Sequence, residues 1–398
     1  MATHTHSTNS EFSEARILVS CLSHSWGGQE MVAFEQAQEL TARGITCWLL
    51  TLKNSVSSKK AQAAGISTFE VPEHNKFSLQ VSMQIHNFII ENEISTITSH
   101  QLPDLWVLSP ALWKLPAVQL IGFSHTFVRV NKKDVLHRML YNRVNELICL
   151  TERQKQNLLQ HLPVKESVIK VIPNGVNTER FNPRLRSEKV RRDLGADENE
   201  TLIAVVGRLD VQKGQLEMVE AAAEMKNKNI PFKMFFIGKD TPGVGAASTE
   251  IKALIAERGV SDFVKLIDHR EDIAQVMASL DIFVLPSYEE TFGRVVVEAM
   301  ASQVAIVATD AGGVPDIIRD RRDGLLVTPK DAHSLASAME ELIAKPDLQK
   351  MYANNARARA KQIFSVDLVD KQIFAILNQN VSSRVSNREL RATRLSRP

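Results

Sequence analysis

Apolar positions along the chain fall into two spacings. Short runs of strand length, Arg16 to Leu22, Thr46 to Thr51, Ser95 to Ser99, Val118 to Gly122 and Glu146 to Leu150, are separated by longer stretches with helical periodicity, such as Gln29 to about Arg43. This rhythm predicts strands buried in a parallel sheet with helices on its faces. A second series, Leu202 to Val206, Phe232 to Ile237, Val264 to Ile267, Asp281 to Leu285 and Ala305 to Ala308, predicts a second sheet of the same kind. The fold class is therefore α/β, with two Rossmann-like, doubly wound parallel-sheet domains facing each other across a cleft. A polar, turn-rich stretch from Asn174 through Pro183 to about Asn199 reads as the link between them. The boundaries that follow are a disordered N-terminus over 1–14, a first domain over 15–178, a linker over 179–199, a second domain over 200–364 and a basic tail over 381–398.

Length agrees, since 398 residues exceed the roughly 100–200 of an ordinary domain. Hydrophobic residues at 44% and charged residues at 24% are enough for a large core and argue against general disorder. No apolar run approaches the roughly 18 residues of a spanning helix, and the polar start lacks a signal-peptide layout, so a cytoplasmic protein is expected. Cys21, Cys47 and Cys149 stand singly in apolar segments and read as core packing rather than as disulfides or metal ligands. A net charge of +2 gives no footprint for nucleic acid.

Ligands of open parallel sheets bind beyond the carboxyl ends of the strands, and the polar motifs fall there. In the second domain, Pro286-Ser-Tyr-Glu-Glu290-Thr-Phe292-Gly293 leads into an apolar helix that contains Glu298. The backbone of Phe292 and Gly293 lies at the positive helix end, suited to a phosphate or a sugar hydroxyl. Glu298 sits among valines and alanines, where a carboxylate needs partners such as the two hydroxyls of a ribose, a backbone group or an arginine. The exit Gly207-Arg208-Leu-Asp-Val-Gln-Lys213-Gly214 offers two cations to a diphosphate whose departure builds negative charge; solvated loop charges are the alternative. In the first domain, Gly27-Gly28 follows the first strand and either turns the chain tightly or lets a ligand approach the backbone. It is not the G-x-G-x-x-G fingerprint of dinucleotide-binding proteins. His100 and His125 each follow a strand and would face the cleft, though surface or capping roles would place them there as well.

Taken together, Ile172-Pro-Asn-Gly-Val176 with Phe181 and Pro183, Gly207-Arg208 with Lys213-Gly214, Glu290 through Glu298, and Gly312-Gly-Val-Pro-Asp316 followed by Gly324 resemble the retaining GT-B glycosyltransferases of family 4, the group 1 glycosyltransferases. The resemblance spans nearly the whole chain. It implies that Arg208 and Lys213 hold the donor diphosphate, Glu298 the ribose and Glu290 the sugar hydroxyls. It further implies that Gly27 and Gly28 approach the phosphate, that His125 lies beside the sugar, and that a helix over 365–380 crosses back to the first domain. Catalysis would rest on Arg208, Lys213, Glu290 and His125, with His100 and His125 toward the acceptor. No metal or other cofactor is implied, and the chain has no D-x-D pair. Asn177 and Gly238-Lys239-Asp240 depart from the family pattern, the latter near the donor.

The expected function is transfer of a hexose, with retention, from a nucleotide diphosphate sugar, UDP-linked first and GDP-mannose next. The acceptor would be a glycan or lipid-linked acceptor of lipopolysaccharide core or cell-surface polysaccharide synthesis. The rival readings are a nucleotide-sugar 2-epimerase of the same fold and a non-catalytic nucleotide-sugar binder. Basic and apolar residues interleave from Arg129 to Arg143, so peripheral contact with an anionic membrane at the inner face of the cytoplasmic membrane is a further expectation, against plain packing of Leu136 and Leu140 on the sheet.

Overall fold

A computed structural model describes residues 15–197, 199–240 and 246–378. The expectations for 1–14 and 381–398, and for the last residues of a helix over 365–380, lie outside the described residues. The chain forms two compact units, one of residues up to Leu150 with Gln154–Ile172 and the chain from Lys371, the other of Thr151–Arg153 and Pro173–Asp370.

The first unit is built on strands β1 (Arg16–Ser20), β2 (Thr46–Leu52), β3 (Thr68–Val71), β4 (Thr96–Ser99), β5 (Gln119–Phe123), β6 (Glu146–Cys149) and β7 (Ile169–Val171). They form one parallel sheet in the order β3-β2-β1-β4-β5-β6-β7. Ile17, Leu18 and Val19 are all buried, as a central strand covered on both faces requires. Leu18, Leu50, Ile97, Leu120 and Leu147 share one core with Ile85 and Ile89 from the helix Leu79–Glu91, each such side chain contributing about 1.5–3 kcal/mol by leaving water.

The second unit carries β8 (Thr201–Val206), β9 (Phe232–Ile237), β10 (Val264–Ile267), β11 (Ile282–Leu285), β12 (Ala305–Thr309) and β13 (Leu325–Val327), in the order β10-β9-β8-β11-β12-β13. Ile203, Val205, Met234, Phe236, Ile282, Val284 and Val307 point into one core, and Ala204, Phe235, Phe283 and Ile306 on the opposite face are buried as well. In each sheet the order reverses beside the first strand, so the topological switch points lie between β1 and β4 and between β8 and β11. Both units are Rossmann-like, and the ligand positions of such sheets fall at these two places.

Three strands have no counterpart in the sequence reading. β3, β7 and β13 are short and end their sheets, so each needs only a few apolar residues and leaves a weak pattern. The segment 179–199, expected as a linker, carries the helix Glu188–Asp193, which belongs to the second unit. Its Arg191 is buried and donates to Ser279 O (3.0 Å) and Asp281 Oδ2 (2.8 Å), while Asp281 also accepts from the Leu202 N–H at the start of β8. Charges that read as solvated in the sequence are here paired across elements distant in the chain. The helix over 366–378 contributes to both units: Val366 N–H donates to Val176 O in the second, and Phe374 packs under Arg43 in the first, the guanidinium carbon 4.2 Å from the ring centre.

Candidate functional site

In the second unit the residues expected to meet the donor come together where β8 and β11 lie side by side. Beyond β8 the chain turns at Gly207, exposes Arg208, and forms a short helical turn at Val211–Lys213 capped by Asp210, whose Oδ1 accepts from Gln212 N–H (3.0 Å). Gly214 then starts the helix Gln215–Asn227 in a left-handed conformation, φ +71°. A Cβ there would stand 2.1 Å from Pro286 O at the end of β11, so only glycine lets the two strand exits close together. Tyr288 N–H donates to Gln212 O (2.9 Å), and Lys213 Nζ forms a hydrogen-bonded ion pair with Glu290 Oε1. A cation and a carboxylate from loops 77 positions apart are thus set together by backbone packing.

Glu290 is held in turn by the Gly312-Gly313 turn that follows β12. Gly313 N–H donates to Glu290 O (2.7 Å), and Cβ atoms at Gly312 and Gly313 would fall 2.0 Å from Glu290 O and 2.1 Å from Thr291 O. Phe292 turns its ring into the core, edge-on to Phe364 at 6.0 Å, so only its backbone remains for a ligand. Gly293, with φ +78°, caps the helix Arg294–Ala301, and Glu298 sits half-buried in that helix. Gly238 follows β9, and a Cβ on it would stand 1.8 Å from Gly207 O. The first glycine of Gly238-Lys239-Asp240 therefore serves the joint between strand exits, whereas Asp240 turns to Ser248, accepting from its N–H at 2.9 Å.

In the first unit Gly27 caps the helix Gly28–Ala42, and its N–H donates to the buried Glu30 Oε2 (2.9 Å). That amide, expected to face a phosphate, is engaged by the chain's own carboxylate. Burial pushes the Glu30 carboxyl up, but bonds from Ser23, Gln29 and the backbone of Glu30 and Gly27 outweigh it and hold the group below its ordinary value. At Gly28 a Cβ would meet nothing within 4 Å.

The structure brings His100 and His125 together. His100 is buried, its ring stacked on Phe123 (centroids 4.4 Å apart), with Nδ1 3.1 Å from His125 Nε2 and Nε2 2.9 Å from Gln36 Oε1. Burial, then the nearby His125, hold the His100 imidazole well below its ordinary pKa, so it is neutral at pH 7. Sequence reasoning missed Gln36, which sits in the first helix without a local motif. It also missed Asp104, a buried carboxyl at the exit of β1 that accepts from Ser20 Oγ (2.9 Å) and Leu22 N–H (3.1 Å). Burial pushes that carboxyl up to about 7 against the pull of those two bonds.

The basic and apolar stretch from Arg129 to Arg143 contains a shorter helix than its pattern implies, Val135–Tyr141, capped by Asp134, which accepts from His137 N–H (3.1 Å). Leu140 packs inward, whereas Val130, Val135, Leu136 and Met139 are exposed, Val135 at 73%. Phe77, Leu79 and Met83 are exposed on the neighbouring surface: Phe77 meets Trp106 at 4.6 Å, and Trp106 meets the ring of His137 at 5.2 Å. Lys76 lies over Trp106 at 4.8 Å, close enough to Lys132 that burial, then the Lys76 charge, lower the pKa of the Lys132 ammonium. Among the described residues, no helix is long and apolar enough to cross a membrane, and no three His, Cys, Asp or Glu side chains gather as a metal ion would require.

Most of the chain matches known family models. Residues 186–359 match the family model described as "Glycosyl transferases group 1", and residues 26–180 match "Glycosyltransferase Family 4". The chain belongs to the group 1 glycosyltransferases of family 4, a retaining family with the GT-B fold. It is similar to the D-inositol 3-phosphate glycosyltransferase of Corynebacterium kroppenstedtii, with 30% identity over 65% of this chain and 60% of that protein. The chain thus spans about 60% of the length of such curated relatives. Its fold matches a glycosyltransferase from Rickettsia africae, with a TM-score of 0.85, 22% identity, and coverage of 93% of this chain and 99% of that one. It also matches Anabaena Alr3699/HepE, solved in complex with UDP-glucose, with a TM-score of 0.79, 23% identity, and coverage of 92% and 99%.

Proposed function

We propose that the protein transfers a hexose, with retention, from a nucleotide diphosphate sugar to a glycan or lipid-linked acceptor. The observation that carries this reading is the assembly of Arg208, Lys213 and Glu290 at the adjacent exits of β8 and β11, with Glu298 in the helix that follows. Charge builds on the diphosphate as the glycosidic bond breaks, and a preorganised guanidinium and ammonium stabilise that state more than the ground state. Glu290 holds Lys213 in place and accepts from sugar hydroxyls, Glu298 accepts from the ribose, and the backbone at Gly293 supplies the positive end of a helix. A non-catalytic binder would have no need of the charge-stabilising pair, and a 2-epimerase would consume its nucleotide sugar with no acceptor.

A UDP-sugar is the first choice of donor and GDP-mannose the second. HepE's structure with UDP-glucose supports that order. Calorimetry with UDP, GDP and ADP, with and without Mg²⁺, is expected to show one nucleotide bound selectively and without metal, and the binding lost in Glu298→Ala. Failure of all three to bind would remove the transferase reading and leave the fold standing.

For the acceptor, the reading is a growing lipid-linked glycan of the lipopolysaccharide-core kind, met at an anionic membrane surface. The exposed Val135, Leu136 and Met139 beside Phe77, Leu79 and Met83, with Lys76, Arg129, Lys132, Lys133 and Arg138 around them, fit peripheral insertion among anionic headgroups. The protein is expected to sediment with phosphatidylglycerol-rich vesicles at low salt, and the double variant Leu136→Ser/Met139→Ser to remain in the supernatant. Wild-type protein that stays soluble in that assay would end the membrane reading.

A further inference from the structure

We propose that Gln154 and Asn157 are positioning residues for the sugar transfer: from one face of the helix Glu152–His161 they hold the segment that leaves β5, residues 124–132 with His125 among them, in the shape the reaction uses. The effect on turnover rests on the reading that the β5 exit and His125 serve the substrate; the bracing itself does not.

A chain leaving a strand carries backbone N–H and C=O groups with no ladder to join, and those that are buried need other partners. Ser124 N–H still pairs with Ile148 O of β6 at 2.8 Å; beyond it, residues 125–132 have no regular secondary structure. Side chains take over from the ladder. Gln154 is fully buried, and its Nε2 donates to Ser124 O (3.0 Å) and Thr126 O (3.1 Å) while its Oε1 accepts from Leu150 N–H (2.8 Å). Asn157 engages both backbone groups of Val128, as a neighbouring strand would: Oδ1 accepts from the N–H (2.7 Å) and Nδ2 donates to the C=O (3.0 Å). One turn further on, His161 O accepts from Lys132 N–H (2.9 Å). Positions 154, 157 and 161 share one helix face, so the chain from Ser124 to Lys132 is fastened along that face at successive turns.

Both amides have one possible orientation, because each accepts from a backbone N–H at one end and donates to a carbonyl at the other. A half-turn of Gln154 would set its NH₂ against Leu150 N–H and its oxygen against two carbonyls, and Asn157 would meet the same conflict at Val128. Burying an amide is costly unless its bonds are made, and a helix packed on its own sheet needs only apolar residues on this face. What the two amides provide is a single path for a segment that has no ladder of its own. That path sets where His125 stands, and misplacing a reacting group by about 1 Å costs up to about 10²-fold in rate.

The test uses the acid chemistry of Asn157→Asp in the full-length protein. Its ionised carboxylate still accepts from Val128 N–H but sets an oxygen against Val128 O, whereas the protonated carboxyl donates there and restores the pair. Burial beside a carbonyl raises the pKa of such a carboxyl, so acidification from about pH 8 to about pH 6 should return the proton. Relative to wild type at the same pH, kcat is expected to fall by about 10–10²-fold at the higher pH and to regain most of that loss at the lower, with donor KM changed little. Asn157→Leu, similar in volume and without polar groups, should stay low at both, and Gln154→Glu should show the same acid recovery as Asn157→Asp. Unfolding midpoints set a temperature at which every variant is folded. Amide hydrogen exchange over 124–132 should follow suit: faster than wild type in Asn157→Leu at both pH values, faster in Asn157→Asp only at the higher, and unchanged in β5 and β6. Turnover of Asn157→Asp that does not recover in acid, or exchange unmoved in Asn157→Leu, would overturn the proposal. Exchange as expected beside unchanged turnover would leave the brace standing and remove its positioning role, and with it the part given to His125. A wild type inactive on every nucleotide sugar would sink the transferase reading instead, and the exchange would still decide the brace.

Discussion

Arg208→Ala is expected to lower turnover by about 10²–10³-fold, the cost of removing one preorganised group that meets charge developing in the transition state. Arg208 is exposed just beyond β8, past the residue whose N–H pairs with Ile237 O, and its own carbonyl accepts from Gln215 Nε2 at 3.0 Å. Its backbone is therefore fixed on two sides while its guanidinium reaches outward. The side chain is exposed, so the substitution should leave the unfolding midpoint nearly unchanged. The loss should also appear more in kcat than in donor KM, since the charge that Arg208 meets is larger in the transition state than in the bound donor. Steady-state kinetics with the donor identified by calorimetry checks this, and unchanged turnover in the folded variant would remove Arg208 from the mechanism.

Gly312→Ala is expected to destabilise the second unit by about 2–5 kcal/mol, combining about 1–2 for a left-handed non-glycine residue with about 1–3 for overpacking. Gly312 has φ +55°, and its added Cβ would stand 2.0 Å from Glu290 O and 3.0 Å from Glu290 N. Relief requires the Glu290 loop to move, and with it the ion pair to Lys213. Activity should thus be lost even at temperatures where the variant remains folded. The contrast is Gly28→Ala, where nothing lies within 4 Å of the new methyl, and stability should change by no more than about 0.5 kcal/mol. Denaturant unfolding of both variants tests the pair. A Gly312→Ala protein as stable as the parent would mean that the turn after β12 does not hold Glu290.

Much of the fold was legible because a parallel sheet covered on both faces writes itself as unbroken apolar runs. Leu202 to Val205 and Met234 to Ile237 are buried over their whole length, and no polar alternation interrupts them. The edge strands β3, β7 and β13 were not legible, since a strand with one neighbour needs fewer apolar residues. The segment 179–199 read as a connection because Arg191 looks solvated when its partners Ser279 and Asp281 are far along the chain.

The sequence by itself determined the repeated strand–helix alternation, the family, and the identity of the polar residues at the strand exits, because burial of strands and exposure of their ends are local consequences of composition. Tertiary structure alone decided that Lys213 pairs with Glu290, that Gly214 and Gly312 are required by the backbone of a neighbouring loop, and that Glu30 engages the Gly27 amide. It also joined Gln36, His100 and His125, which stand apart in sequence, into one line of hydrogen bonds. The physical reason is the same in each case. Hydrogen bonds and van der Waals contacts act over a few ångströms, so which groups meet depends on strand order and on the exits that it places side by side, neither of which any single stretch of the chain encodes.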